Sequence, residues 1–244
     1  MIDYTKTYYD TKKGLDVGLR AYMLKVYNYM AIALLMSAFS AYLASSFEPV
    51  TRLLFNVTPS GQFMGNTGLG TIVMFAPIGV ALYFGFGLAN HSIAKARMLF
   101  WIYATLVGLS FGQLGLIYTG ESLARTFLIT AGLFGGMSLY GYTTKKDLTS
   151  FGSFLIMGVW GIILASLANM FFQSPAIEFA TSLIGVFIFI GLIAFDTQKI
   201  KSIYYSVGGD AVGEKMAIVA ALNLYLDIIN LFLYLLRFMG NRRN

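Results

Sequence analysis

Apolar runs long enough to cross a bilayer follow one another along nearly the whole chain, and this leaves few folds open. About 18–20 mainly apolar residues span the hydrocarbon core. Runs of that order lie at 22–46, 69–90, 98–118, 126–142, 152–173, 177–200 and 216–238, with short connections between them. Only 11% of the 244 residues are charged, against about 25% in a soluble domain. The expected fold class is therefore an all-α polytopic membrane protein. One seven-helix transmembrane domain covers residues 22–244, after a basic cytoplasmic N-terminal arm over residues 1–21. The lipid bilayer is its first partner.

Composition also removes several chemistries. Cysteine is absent and His91 is the only histidine, so disulfides, zinc sites, histidine-ligated haem and thiol or histidine nucleophiles are not expected. Polar and charged residues precede the first run, and no cleaved signal peptide is expected. The net charge of +6 reads as loop bias rather than nucleic-acid binding. Lys6, Lys12, Lys13, Arg20 and Lys25, with Lys95/Arg97, Lys145/Lys146 and Lys199/Lys201/Lys215, put twelve basic residues on one side, whereas the alternate loops hold only Arg52 and Arg125. By the positive-inside rule the N-terminus is cytoplasmic. Seven crossings then place Arg237, Arg242 and Arg243 outside. The alternative is a re-entrant last segment, and a run of roughly 23 residues favours the crossing.

Gly108/Gly112 and Gly132/Gly136, each pair four residues apart, are expected to let helices approach closely. Pro77 is expected to kink the second segment. Gln113 and Asn169 stand alone in apolar runs and read as packing hydrogen bonds, and His91 reads as an interfacial loop residue.

Of eleven Asp and Glu residues, only Asp196 and Asp227 lie within or at the edge of a segment that should be buried. An ionisable side chain at mid-membrane costs about 3 kcal/mol on insertion scales, so it normally faces protein or a water-filled cavity. Asn223, Asp227, Asn230, Tyr234 and Arg237 are spaced four, three, four and three, which puts them on one stripe of the last helix. Such a stripe points into the bundle, either lining a polar path or holding helices together through hydrogen bonds. Asp196 is either an interfacial helix end or part of a helix that continues through Ile200, Ile203 and Tyr204. A carboxylate at a helix C-terminus opposes the macrodipole, which favours the longer helix. The two acids meet if that helix runs to about Tyr205 and the next begins nearer Val219. Paired carboxyls in a low dielectric share a proton and titrate together. Fully deprotonated, they form a hard oxygen site suited to Ca²⁺.

The run Ala194-Phe195-Asp196-Thr197-Gln198-Lys199-Ile200, followed by Ala221-Leu222-Asn223-Leu224-Tyr225-Leu226-Asp227-Ile228-Ile229-Asn230-Leu231-Phe232-Leu233-Tyr234-Leu235-Leu236-Arg237, resembles the Bax-inhibitor-motif family, most closely its bacterial YccA-like branch. The likeness extends to the seven-segment plan, the basic arm and the Ala94-Lys95-Ala96-Arg97 loop. It implies a bundle with its last helix central, and a pH-sensitive Ca²⁺ leak in a bacterial inner membrane, governed by aspartates that match Asp196 and Asp227. In some members a basic residue near the end of the second helix latches onto the last-helix aspartate. Here that place holds Gly87-Leu88-Ala89-Asn90-His91, with Lys95 and Arg97 after it. The branch is also associated with the membrane protease FtsH, with the N-terminal tail, here 1–19, as a degradation handle.

Three functions compete. The first is a passive, proton-gated cation pathway using Asp196 and Asp227. The second is a non-conducting modulator or substrate of an FtsH-like protease in membrane stress. The third, an intramembrane aspartyl protease, lacks its Gly-x-Gly-Asp signature, since Leu224-Tyr225-Leu226 precedes Asp227. No enzyme activity and no resident cofactor are expected.

Overall fold

The computed structural model describes residues 4–87, 91–207 and 211–243, with side chains for 17–87, 91–206 and 213–243. Leu88, Ala89 and Asn90 of the expected second segment, and the side chains of the arm through Asp16, lie outside the described residues. The order is α1 (Tyr4–Ser46), α2 (Glu48–Leu54), β1 (Phe55–Val57), β2 (Phe63–Asn66), α3 (Gly68–Gly87), α4 (Ile93–Ile117), α5 (Gly120–Thr143), α6 (Thr149–Phe172), α7 (Pro175–Val207) and α8 (Ala211–Met239). All but α2 among the helices are long and apolar enough to cross a membrane, which gives the seven spans read from the sequence.

Three boundaries differ from the sequence reading. α1 is continuous back to Tyr4, because no proline interrupts the arm, and Leu19, Tyr22, Met23 and Val26 already form a buried stripe at helical spacing. α7 runs to Val207, past the expected Tyr205. α8 starts at Ala211, well before Val219, with Gly213, Glu214 and Lys215 interrupting the apolar pattern ahead of its main run.

The segment between the first two spans is not a plain loop. Pro49 sits in the first turn of α2, where its missing N–H is no loss, and Arg52 pairs with Glu48 at 2.7 Å. The β1–β2 hairpin then folds Phe55 and Phe63 edge to face against Ala44 and Leu54. A run of three or four residues falls below what periodicity can resolve.

α8 is the central helix. It contacts α1, α4, α5 and α7, and 56% of its most apolar stretch is buried, against 17% for α3 and α6. Ile218, Ala221, Leu224 and Tyr225 of α8 pack on Phe100 and Tyr103 of α4, with the Phe100 and Tyr225 rings edge to face at 5.8 Å. The Ser37 hydroxyl links three helices, bonding the Ala104 carbonyl and the Tyr225 hydroxyl at 2.7 Å each.

The glycine pairs behave differently from one another. A Cβ at Gly108 would run into the Ser37 backbone, and one at Gly112 into Ala44 and Phe55, so α1 and α4 do meet there at backbone distance. Gly132 and Gly136 are exposed with open space where a Cβ would stand. They face away from this bundle, and the expected close packing is corrected for that pair. Pro77 lies within α3, as the sequence indicated.

The two ends of α8 sit at opposite ends of the bundle. Residues 241–243 bond to Ile117, Thr119 and Ser122 at the α4–α5 turn, whereas Lys25 near the start of the first span pairs with Glu214 at the start of α8. The last helix therefore traverses the bundle rather than returning.

Asp147 closes the start of α6. Its Oδ1 accepts from the Thr149 N–H at 2.9 Å and hydroxyl at 2.6 Å, and these bonds hold its carboxyl below the usual aspartate range. A depressed folded-state value contributes stability above the ordinary aspartate value, about 3.9, and loses it as pH falls through the folded value. Asp147→Ala is expected to lower the thermal midpoint at pH 7, while the two proteins melt alike in strong acid.

Candidate functional site: an aspartate pair on the last two helices

Each residue of Asp196-Thr197-Gln198-Lys199 faces a different neighbour. Gly141 of α5 brings its backbone against Ala194, and Gly152 of α6 seats the Phe195 ring, so α7 is held from two sides just before Asp196. Thr197 is fully buried and donates to Ser138 Oγ at 3.2 Å, which also bonds the Tyr27 hydroxyl at 2.6 Å. Gln198 accepts from Leu148 N–H and donates to the Lys146 carbonyl, both at 2.8 Å, fastening α7 to the α5–α6 connection. Lys199 Nζ lies over the Phe195 ring, and Lys201 donates to the Tyr142 carbonyl at 3.2 Å.

Asp196 is left to face α8. It lies inside α7, eleven residues before Val207, so it is no helix end. Its carboxyl group lies close to that of Asp227. An ionised carboxylate only accepts, so a hydrogen bond between the two would need one of them to hold a proton. Asp227 is 6% exposed, and among the described residues its Oδ2 has no hydrogen-bond partner.

The rest of the stripe is graded from buried to exposed. Asn223 and Asn230 are half-buried, and the Asn230 amide donates to the Leu226 carbonyl of its own helix at 2.8 Å. Tyr234 stacks on Phe189 at 5.6 Å and sits where a Cβ at Gly185 would stand. Arg237 is exposed, with its guanidinium 5.7 Å from the Tyr234 ring centre. Tyr234 and Arg237 join Glu178, Thr181 and Asn169 around a cavity of about 490 Å³ between α6, α7 and α8. Asn169 also accepts from Ser174 N–H at 2.9 Å, a bond local to the α6–α7 turn rather than one between packed helices. The structure thus brings Asp196 and Asp227 into contact and leads the lower stripe into a polar cavity.

The family model described as inhibitor of apoptosis-promoting Bax1 matches residues 19–244. This chain belongs to that family. Among relatives of this Bax1-inhibitor family member, a protein of Rickettsia prowazekii is 57% identical over 100% of both chains. The inner membrane protein YbhL of Escherichia coli K12 is 42% identical over 93% of this chain and 94% of its own. A membrane protein of Streptococcus pyogenes is 34% identical over 92% and 94%.

In this family member the basic residues after α3 engage other groups than Asp227. Arg97 pairs with Glu214 at 3.0 Å, Lys25 approaches the same Oε1 at 3.5 Å, and the Tyr29 hydroxyl donates to it at 3.3 Å. Lys95 donates to the Tyr83 hydroxyl at 2.7 Å. Among the described residues no ion pair reaches Asp227. Glu214 falls just ahead of the last apolar run, and its place in the first turn of a helix, where an acid is favoured, is the signal that marks it. His91, read as interfacial, is 5% exposed and packs on Tyr83 at 5.2 Å. Glu214→Gln is expected to cost about 1 kcal/mol, since the partners are partly exposed. The loss should appear as a lower thermal midpoint that converges with the native one in high salt.

Proposed function

We propose that this protein is a passive, non-enzymatic cation pathway of the bacterial inner membrane, with Ca²⁺ the favoured ion and the Asp196–Asp227 proton as its gate. The observation that carries the reading is the close approach of two carboxyl groups on neighbouring helices of a largely apolar bundle. While they share a proton, the pair ties α7 to α8. When the last proton leaves, two like charges face each other in a low dielectric and the helices separate. Two carboxylates offer at most four oxygens, fewer than the 6–8 that Ca²⁺ takes. Among the described residues no third acid, histidine or cysteine joins them. The ion is accordingly a transient visitor that keeps part of its water, with the Tyr234–Arg237 cavity as one vestibule. The end bearing Lys25, Lys95, Arg97, Lys145 and Lys146 is the cytoplasmic one by the positive-inside rule, which puts the N-terminus inside.

Ca²⁺ entry into dye-loaded vesicles tests the reading. Folded protein is expected to admit Ca²⁺ above the rate of protein-free vesicles. No excess entry between pH 6 and 8 would move the function to a non-conducting modulator of an FtsH-like protease.

A further inference from the structure

A second cavity, of about 320 Å³, lies between α1 and α5 with α4 and α8 as its floor. It runs from Leu34 to Ser45 along α1, roughly 16 Å at the helical rise, and its α5 wall begins at Leu123, close to the α4–α5 turn. It therefore occupies one leaflet, whose hydrocarbon is about 15 Å deep. Tyr42 and Phe127, which line it, are 65% and 56% exposed, so the groove opens sideways rather than towards water.

The serine and threonine hydroxyls of its lining already bond within the protein, and the Tyr42 hydroxyl is its one other side-chain polar group. Ser37 Oγ bonds Ala104 and Tyr225, Thr130 Oγ1 donates to Thr126 O at 2.8 Å, and Ser45 Oγ to Tyr42 O at 3.2 Å. A water molecule needs two to four polar partners to occupy such a space. The remaining lining is aliphatic and aromatic side chains. The seven spans place hydrocarbon directly at the mouth, and an empty groove of this size would forfeit its dispersion contacts.

From this geometry we infer that the α1/α5 groove is a binding site for one acyl chain of a bilayer lipid, held inside the helix bundle. Ile228, Ile229 and Phe232 of α8 form part of its floor, directly after Asp227 in the chain. The bound chain thus fills space beside the central helix, on the face away from α7. This inference is independent of whether the protein conducts.

The test uses full-length protein in phosphatidylcholine vesicles containing a phosphatidylcholine with a mid-chain diazirine, illuminated and mapped by mass spectrometry. Adducts at Ala38, Leu123 and Phe127 are expected to exceed those at the outward Leu35, Leu128 and Leu164 by about tenfold, the ratio of a modest binding preference. Ala38→Phe, which fills the groove, should remove the excess, and Ala38→Ser, which leaves it open, should keep it. Equal labelling of groove and outward residues in the native protein would overturn the site. So would an excess that survives in folded Ala38→Phe. The native comparison stands even if that variant does not fold.

Discussion

Asp227→Asn is expected to flatten the pH dependence of cation flux. An asparagine amide donates to the Asp196 carboxylate at every pH, so the contact between α7 and α8 no longer depends on a proton. For a single titrating group the ratio of ionised to protonated forms changes about tenfold per pH unit, so native flux should follow that change while the variant varies less than about twofold. Asp196→Asn should behave alike, because the shared proton belongs to the pair and to neither residue. A stopped-flow dye assay in vesicles at stepped pH reads both. If either single variant kept the full native pH profile, the pair would not be the sensor.

Gly108→Val is expected to be the most destabilising single change outside the pair. The two branches of valine would press on the Ser37 backbone and the Ser40 side chain, and backbone cannot swing aside as a side-chain tip can. Overpacking of this kind costs about 3 kcal/mol at the upper end of its usual range. Because Ser37 also holds Tyr225 of the central helix, displacing α1 would loosen the core around α8. The thermal midpoint in detergent should fall well below that of Gly132→Val, where the added methyls point away from the bundle into open space. Equal midpoints for the two variants would show that α1 and α4 do not meet at backbone distance.

Much of the fold was readable because lipid forces regularity on the chain. Backbone groups must be satisfied within each segment, so length and apolarity alone gave seven spans. The same logic singled out Asp196 and Asp227, since an acid in an apolar run has few explanations. Their contact was a conditional expectation. It is realised with α7 extended as required but with α8 starting earlier than expected, because helix boundaries depend on polar turns that hydropathy does not register. The α2 helix and the β1–β2 hairpin were missed, being shorter than any hydrophobic period. Gly132 and Gly136 show that spacing marks a potential contact without naming the partner face. Glu214 was passed over because its three partners come from α1 and α4, far away in sequence.

The most direct test of the account compares Ca²⁺ entry into vesicles across pH 6 to 8 for the native protein, Asp196→Asn, Asp227→Asn and the double variant, all shown to be folded. A coupled pair predicts native flux that changes with pH, two single variants that lose this change, and a double variant no different from either. Additive effects of the two substitutions, or native flux that is the same at every pH, would contradict it.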